Sequence, residues 1–185
     1  MATSTRIAQR YATALMSIAN DNNTTEDIRK DFTLIVESLN VSDELRALFN
    51  SPVVKYHHKI SICKEVFEGK ISTLMIQFIE MLAKKRRESV FQEISAAFTE
   101  LYNKKNNLVP VKIVSAIELS EDLSASIVKA IADKTGKTVL PHFSVDPAIK
   151  GGLIITIADM MIDASVRHQL NKLQVELSGS YSVTM

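Results

Sequence analysis

Apolar residues recur at helical spacing through the first hundred positions and switch to strand spacing beyond them. Ile7, Tyr11, Leu15 and Ile18 mark one helix, with Ser4 as its cap. Ala8, Ala12, Ala14 and Ala19 widen that stripe into a broad apolar arc. The polar run NDNNTTED ends it, and Thr24 with Asp27 has the form of a capping box for a second helix. That helix carries Ile28, Phe32, Ile35 and Leu39, and Ser42 caps a short third one holding Leu45, Leu48 and Phe49. Pro52 then suits the first position of a fourth, with Tyr56, Ile60, Cys63 and Phe67 inward and Gly69 at its end. A sixth helix with Phe91, Ile94, Phe98 and Leu101 follows the basic run Lys84 to Arg87.

The fifth helix, roughly Ser72 to Lys84, is apolar nearly all round. Between Leu74 and Leu82 only Gln77 and Glu80 are polar. Leu74, Met75, Phe78, Met81 and Leu82 share a face suited to a core. Ile76, Ile79 and Ala83 lie on a side that is normally polar on a surface helix. Such a helix is either fully buried or offers its second face to a partner. A partner helix laid in a groove fits that second face, with the alanine-rich arc of the first helix as the other wall.

At Leu108 the period changes. Val109, Val111, Ile113, Ser115 and Ile117 alternate as a half-buried strand does. Ser120 caps a helix with Leu123, Ile127 and Ile131 that Gly136 terminates. TVLPHFSV predicts a second strand stopped at Asp146-Pro147, and Gly152 to Ile157 a third. Asp163 caps a last helix with Val166, Leu170, Leu173 and Leu177 in register. The expected fold is mainly α: a six-helix bundle over 1–105, then a small α/β domain over 106–185 in the order β-α-β-β-α.

Composition removes several function classes. The 185 residues hold 22 basic and 21 acidic side chains, a formal net charge of +1, so no global field draws the chain to nucleic acid or an anionic surface. Trp is absent and aromatics make up 6%, which leaves little for base stacking. One cysteine, Cys63, excludes an internal disulfide and a multi-cysteine zinc site. No stretch approaches the roughly 20 apolar residues that span a bilayer, and the first residues lack a secretory signal pattern. A soluble protein able to work beside a membrane is expected.

The candidate chemistry dissolves on inspection. TGKT at Thr135–Thr138 matches the tail of a phosphate-binding loop, but Ile131 stands where its first glycine belongs and the helix precedes the loop. Gly151 and Gly152 precede a strand, so no helix N-terminus sits beside them; they predict a bulge or a close backbone approach. Asp163 suits helix capping better than general-base work. His57, His58, His142 and His168 have no metal-ligand spacing, and no paired carboxylates or nucleophile motif stand out. No catalytic residue, cofactor or metal is expected. Lys84, Lys85, Arg86 and Arg87 could contact phosphates, which keeps a helical RNA-binding factor as the alternative reading.

RIAQRYATALMSIA near the start, SPVVKYHHK in the middle and DPAIKGGLIITIADMMIDASVRHQLNKL near the end, in that order, resemble the δ subunit family of the F-type ATP synthase. Its mitochondrial counterpart is the oligomycin-sensitivity-conferring protein. The pattern departs at Thr156, where a basic residue is usual, and at Ala158, where glycine is usual. The resemblance implies a non-catalytic stator subunit, one copy per complex, that holds the catalytic head against rotor torque. It implies that the bundle binds the N-terminal helix of an α subunit between its first and fifth helices, at Tyr11, Ala14, Leu15, Ile18, Ile76, Ile79 and Ala83. It further implies a C-terminal domain on the end of the b-subunit stalk, with Met160, Met161 and Arg167 as contacts and Gly151, Gly152, Asp163 and Ser165 shaping the domain. The location implied is peripheral, on the cytoplasmic face of a bacterial inner membrane.

Overall fold

The computed structural model describes residues 2–51 and 54–179, with side chains described between 5 and 177 of those ranges. It is mainly helical, with eight α-helices and one four-stranded sheet among the described residues. The chain divides into two compact units, Met1–Asn103 and Lys104–Met185, so the division falls just ahead of the expected boundary.

Six helices share the first core: α1 (Ala2–Asp21), α2 (Thr25–Val41), α3 (Asp43–Asn50), α4 (Tyr56–Phe67), α5 (Thr73–Lys84) and α6 (Phe91–Lys105). Phe32 of α2 sits among the rings of Phe78, Phe91 and Phe98, with centroids 6.3, 5.3 and 5.1 Å away. Tilted and edge-on pairs of this kind add to the stabilisation from buried area alone. Three polar ties fix the helices around that core. Asp31 Oδ2 accepts from the Ser72 N–H at 2.9 Å, joining α2 to the start of α5. Lys59 of α4 bonds Glu88 in the 3-10 turn Glu88–Val90. The Tyr102 hydroxyl of α6 donates to Glu26 of α2, whose carboxylate also holds Arg29 at 2.7 Å.

The Ser42 and Ser72 hydroxyls accept from Leu45 N–H and Met75 N–H, each at 3.2 Å. Other expected helix starts need correction. α1 begins at Ala2, so Ser4 lies inside its first turn and does not cap it. Thr24 occupies the N-cap of α2, but its backbone (φ −110°, ψ 18°) is not extended and its hydroxyl is buried without a partner. A capping hydroxyl reaches the first amides only from the extended conformation. Pro52 lies outside the described residues, and α4 starts at Tyr56, so proline is not its first helical residue.

In the second unit β1 (Leu108–Ser115), β2 (Thr138–Val145), β3 (Leu153–Ile157) and β4 (Met160–Asp163) form a sheet in the order β2-β1-β3-β4. β1 and β2 are parallel and are joined by α7 (Glu121–Thr135); the other two pairings are antiparallel. Val109, Val111, Ile113 and Val139 pack against Ile127 and Ile131 of α7, with Leu153, Ile155 and Ile157 at the margin. Gly136 ends α7 at φ +64°, a conformation glycine adopts without strain. The expected β-α-β-β-α order is corrected to β-α-β-β-β-α. The chain folds back after β3 through a two-residue turn at Ala158–Asp159 into β4, before α8 (Val166–Gly179) begins. The apolar run continues across that turn without glycine or proline, which hid it from the periodicity.

Candidate functional site

The glycine pair is where the returning chain docks on itself. Gly151 O accepts from Val166 N–H at 3.0 Å, and Leu153 O accepts from Ala164 N–H at 2.9 Å. A Cβ on Gly152 would stand 2.2 Å from the Ala164 carbonyl oxygen, well inside contact distance, and Gly152 holds φ +75°. Close backbone approach therefore demands glycine, and no phosphate cradle is built here. Asp163 closes β4 and does not cap α8. Its Oδ1 accepts from Ser165 N–H at 2.9 Å, while the Ser165 hydroxyl accepts from His168 N–H at 3.1 Å and is the true cap. The Ser165 hydroxyl and N–H beside Asp163 hold its carboxyl below the usual carboxylate range.

Beyond this clamp α8 carries an apolar stripe that the unit's own core does not use. Val166, Leu170, Leu173 and Leu177 follow helical spacing and are 39%, 48%, 53% and 65% exposed. The sequence spacing shows the stripe but not which way it faces. Met160 and Met161 are both exposed on the edge strand β4. They do not share a face: Met160 pairs with Ile157 on the α7 side of the sheet, and Met161 pairs with Thr156 on the opposite side. Arg167 is exposed in the first turn of α8.

In the first unit the seven expected groove residues separate. Leu15, Ile79 and Ala83 are core residues at 2%, 4% and 1% exposure. Ile76 and Ile79 line a small gap beside Ile60 and Cys63 of α4, so that side of α5 is covered by α4. Tyr11, Ala14 and Ile18 remain accessible, and with Ile7 they form a second stripe on the flank of α1. Tyr11 meets Phe78 edge-on at 6.4 Å, which places this flank beside the α5 side carrying half-buried Leu74 and Met81. Ile79 and Ala83 of the expected face are thus core residues, and Leu74 and Met81 are the half-buried α5 residues beside the α1 flank. Spacing alone does not show which flank α4 occupies, because both flanks are apolar.

The basic run is partly engaged within this unit. Lys84 reaches Glu80 at 3.2 Å, and the Arg87 guanidinium donates to the Tyr11 hydroxyl at 3.3 Å while lying over its ring. Among the described residues no group of three or more His, Cys, Asp or Glu side chains could hold a metal ion, and no helix is long and apolar enough to cross a membrane.

Comparison with known proteins agrees with this layout. The family model of the ATP synthase delta (OSCP) subunit matches residues 7–177. The chain is 33% identical over 171 residues to the ATP synthase subunit delta of Chlorobium luteolum, covering 92% of this chain and 94% of the relative. It is 35% identical over 170 residues to that of Chlorobium chlorochromatii, covering 92% and 95%. In fold it is similar to a chain of the Toxoplasma gondii mitochondrial ATP synthase hexamer, with a TM-score of 0.71 at 20% identity over 92% of this chain and 96% of that one.

Proposed function

The chain belongs to the ATP synthase delta (OSCP) subunit family, a non-catalytic component of the peripheral stalk, and on that premise we propose that its two units grip different partners. The first unit receives the N-terminal helix of an α subunit along the α1 flank Ile7, Tyr11, Ala14 and Ile18, against Leu74 and Met81. The second unit takes the end of the b subunits on the α8 stripe, with Met160, Met161 and Arg167 as peripheral contacts. One copy serves one complex, on the cytoplasmic side of a bacterial inner membrane.

One observation carries this reading: each unit leaves an apolar helical stripe outside its own core. A link under torque needs slow dissociation at both ends, and apolar helix packing supplies it by exclusion of water. The matched family lends no support to the RNA-binding alternative, and two of its four residues are engaged within the bundle.

The test is calorimetric titration of the full chain with a peptide of the α N-terminal helix and, separately, with the soluble part of the b subunits. Ile18→Asp should abolish peptide binding and spare b, while Leu170→Asp should do the reverse. Loss of neither, with both variants folded, would overturn the two-ended assignment.

A further inference from the structure

An open hollow of about 450 Å³ lies in the second unit, where the chain leaves β1 for α7 and the Gly151–Gly152 pair enters the sheet. Ile117, Leu119, Leu123, Ile127 and Leu153 supply its walls. Ile117 and Leu123 are 74% and 56% exposed, although both are large and apolar. Pockets for small molecules enclose most of their ligand. Walls this exposed suit an apolar group carried on a larger partner.

The hollow is continuous with the α8 stripe. Gly151 lines it, and a Cβ on Gly151 would stand 3.0 Å from Val166 Cγ2, so the glycine packs directly on the first residue of the stripe. Along α8, Val166 is followed after seven residues by Leu173, and Leu170 by Leu177, the spacing of a coiled-coil seam. Every described side chain of α8 is exposed, so its own unit covers none of that seam. A helix laid along the seam reaches the hollow at the α8 root.

Charge sets the direction of that helix. Among the described residues Lys150 is the one charged member of the lining, and no carboxylate lies within ion-pair distance of it. Arg167 stands in the first turn of α8, where the positive end of the helix disfavours it. The acids closest in the chain, Glu118, Glu121 and Asp122, are outside the lining, and Glu121 and Asp122 offset the positive end of α7. The end of a helix that carries partial negative charge is its C-terminus.

The geometry points to the hollow as the seat for the C-terminal end of the helix that packs on α8, running antiparallel to it. Its last apolar side chains enter between Ile117 and Leu123, and its terminal carbonyls and carboxylates meet Lys150 and Arg167. This rests on the reading of α8 as the site for the end of the b subunits, and it adds to that site a socket outside α8.

The experiment is calorimetric titration of the full chain with the soluble part of the b subunits, either intact or lacking the last turn of helix. Variants Ile117→Asp and Leu123→Asp are compared with Leu170→Asp on the stripe and with Val41→Asp, a control in the first unit at a position 88% exposed. Each hollow variant should weaken binding of intact b at least about tenfold, and the control should bind as wild type does. Removing the last turn of b should weaken binding to the wild-type chain similarly. It should add little in the hollow variants, because both changes remove the same contact. Wild-type affinity in both hollow variants, with Leu170→Asp still disruptive, would overturn the socket and leave the α8 reading standing. So would full additivity between the b truncation and the hollow variants. No effect of Leu170→Asp, in a variant shown by circular dichroism to be folded, would overturn the α8 reading and the socket with it.

Discussion

Lys59 Nζ lies 2.6 Å from Glu88 Oε1 with the two side chains 6% and 10% exposed, and the same ammonium donates to Phe49 O at 3.3 Å. This pair binds α4 to the turn that follows α5 and draws in the end of α3. Two charges withdrawn from water this far are each expensive alone and tolerable together. Glu88→Gln should cost about 3–5 kcal/mol by leaving the Lys59 ammonium buried without its counter-charge. A joint Lys59→Met, Glu88→Leu replacement should recover most of that loss. Urea unfolding of the two variants measures both, and a single variant as stable as the double one would show the pair to be dispensable.

Ile79 and Ile18 should respond to an introduced charge in different ways. Ile79 is core and Ile18 is accessible. Ile79→Asp should therefore lower stability by at least about 3 kcal/mol, because a carboxylate is forced into an apolar site. Ile18→Asp should change it by less than about 0.5 kcal/mol. Thermal unfolding separates the two, and similar melting temperatures would refute the burial pattern of the bundle.

Acid should loosen the tie between α2 and α6. The Arg29 hydrogen bond first, and the Tyr102 hydroxyl second, hold the Glu26 carboxyl down to about 2. Its folded value lies below its unfolded one, so the stabilisation is fully present above the unfolded range near 4.3 and fades as pH falls from about 5 towards 2. The carboxylate is 45% exposed, and solvent screening limits the effect to about 1 kcal/mol or less. The stability gap between wild type and Glu26→Gln, measured by urea titration, should shrink steadily across that window. A gap that is constant with pH would remove Glu26 from the account.

Two backbone positions in the second unit should respond in opposite directions. Ala158 sits at φ +50° in the hairpin turn, so Ala158→Gly should stabilise by up to about 1 kcal/mol. Gly152→Ala brings a Cβ onto the Ala164 carbonyl and should cost at least about 3 kcal/mol. Hydrogen exchange of the β3 amides reports both, and faster exchange in Ala158→Gly would contradict the turn geometry.

Much of this fold was legible because helical and strand periods differ and polar caps punctuate them. Ser42, Ser120 and Gly136 act where the sequence places them, since each supplies a group that a helix end lacks. The hairpin after Ile157 was not legible, because Ala158-Asp159 carries no turn signature and the apolar residues continue past it. Ser165 rather than Asp163 caps α8 because the hairpin uses up the residues before it. The candidate surfaces were half legible. The α1 flank and the α8 stripe follow from spacing alone, but the accessible side of α5 depends on where α4 packs, and that is a tertiary fact.

The paired bonds from Val166 to Gly151 and from Ala164 to Leu153 give α8 a fixed root. The helix beyond that root is 14 residues, about 21 Å of rise, with its apolar row turned outward. It is a cantilever. Load applied anywhere along it becomes a bending moment at the root, and the sheet takes that moment through backbone atoms, not flexible side chains. Gly152, by having no side chain, lets the beam seat directly on its support.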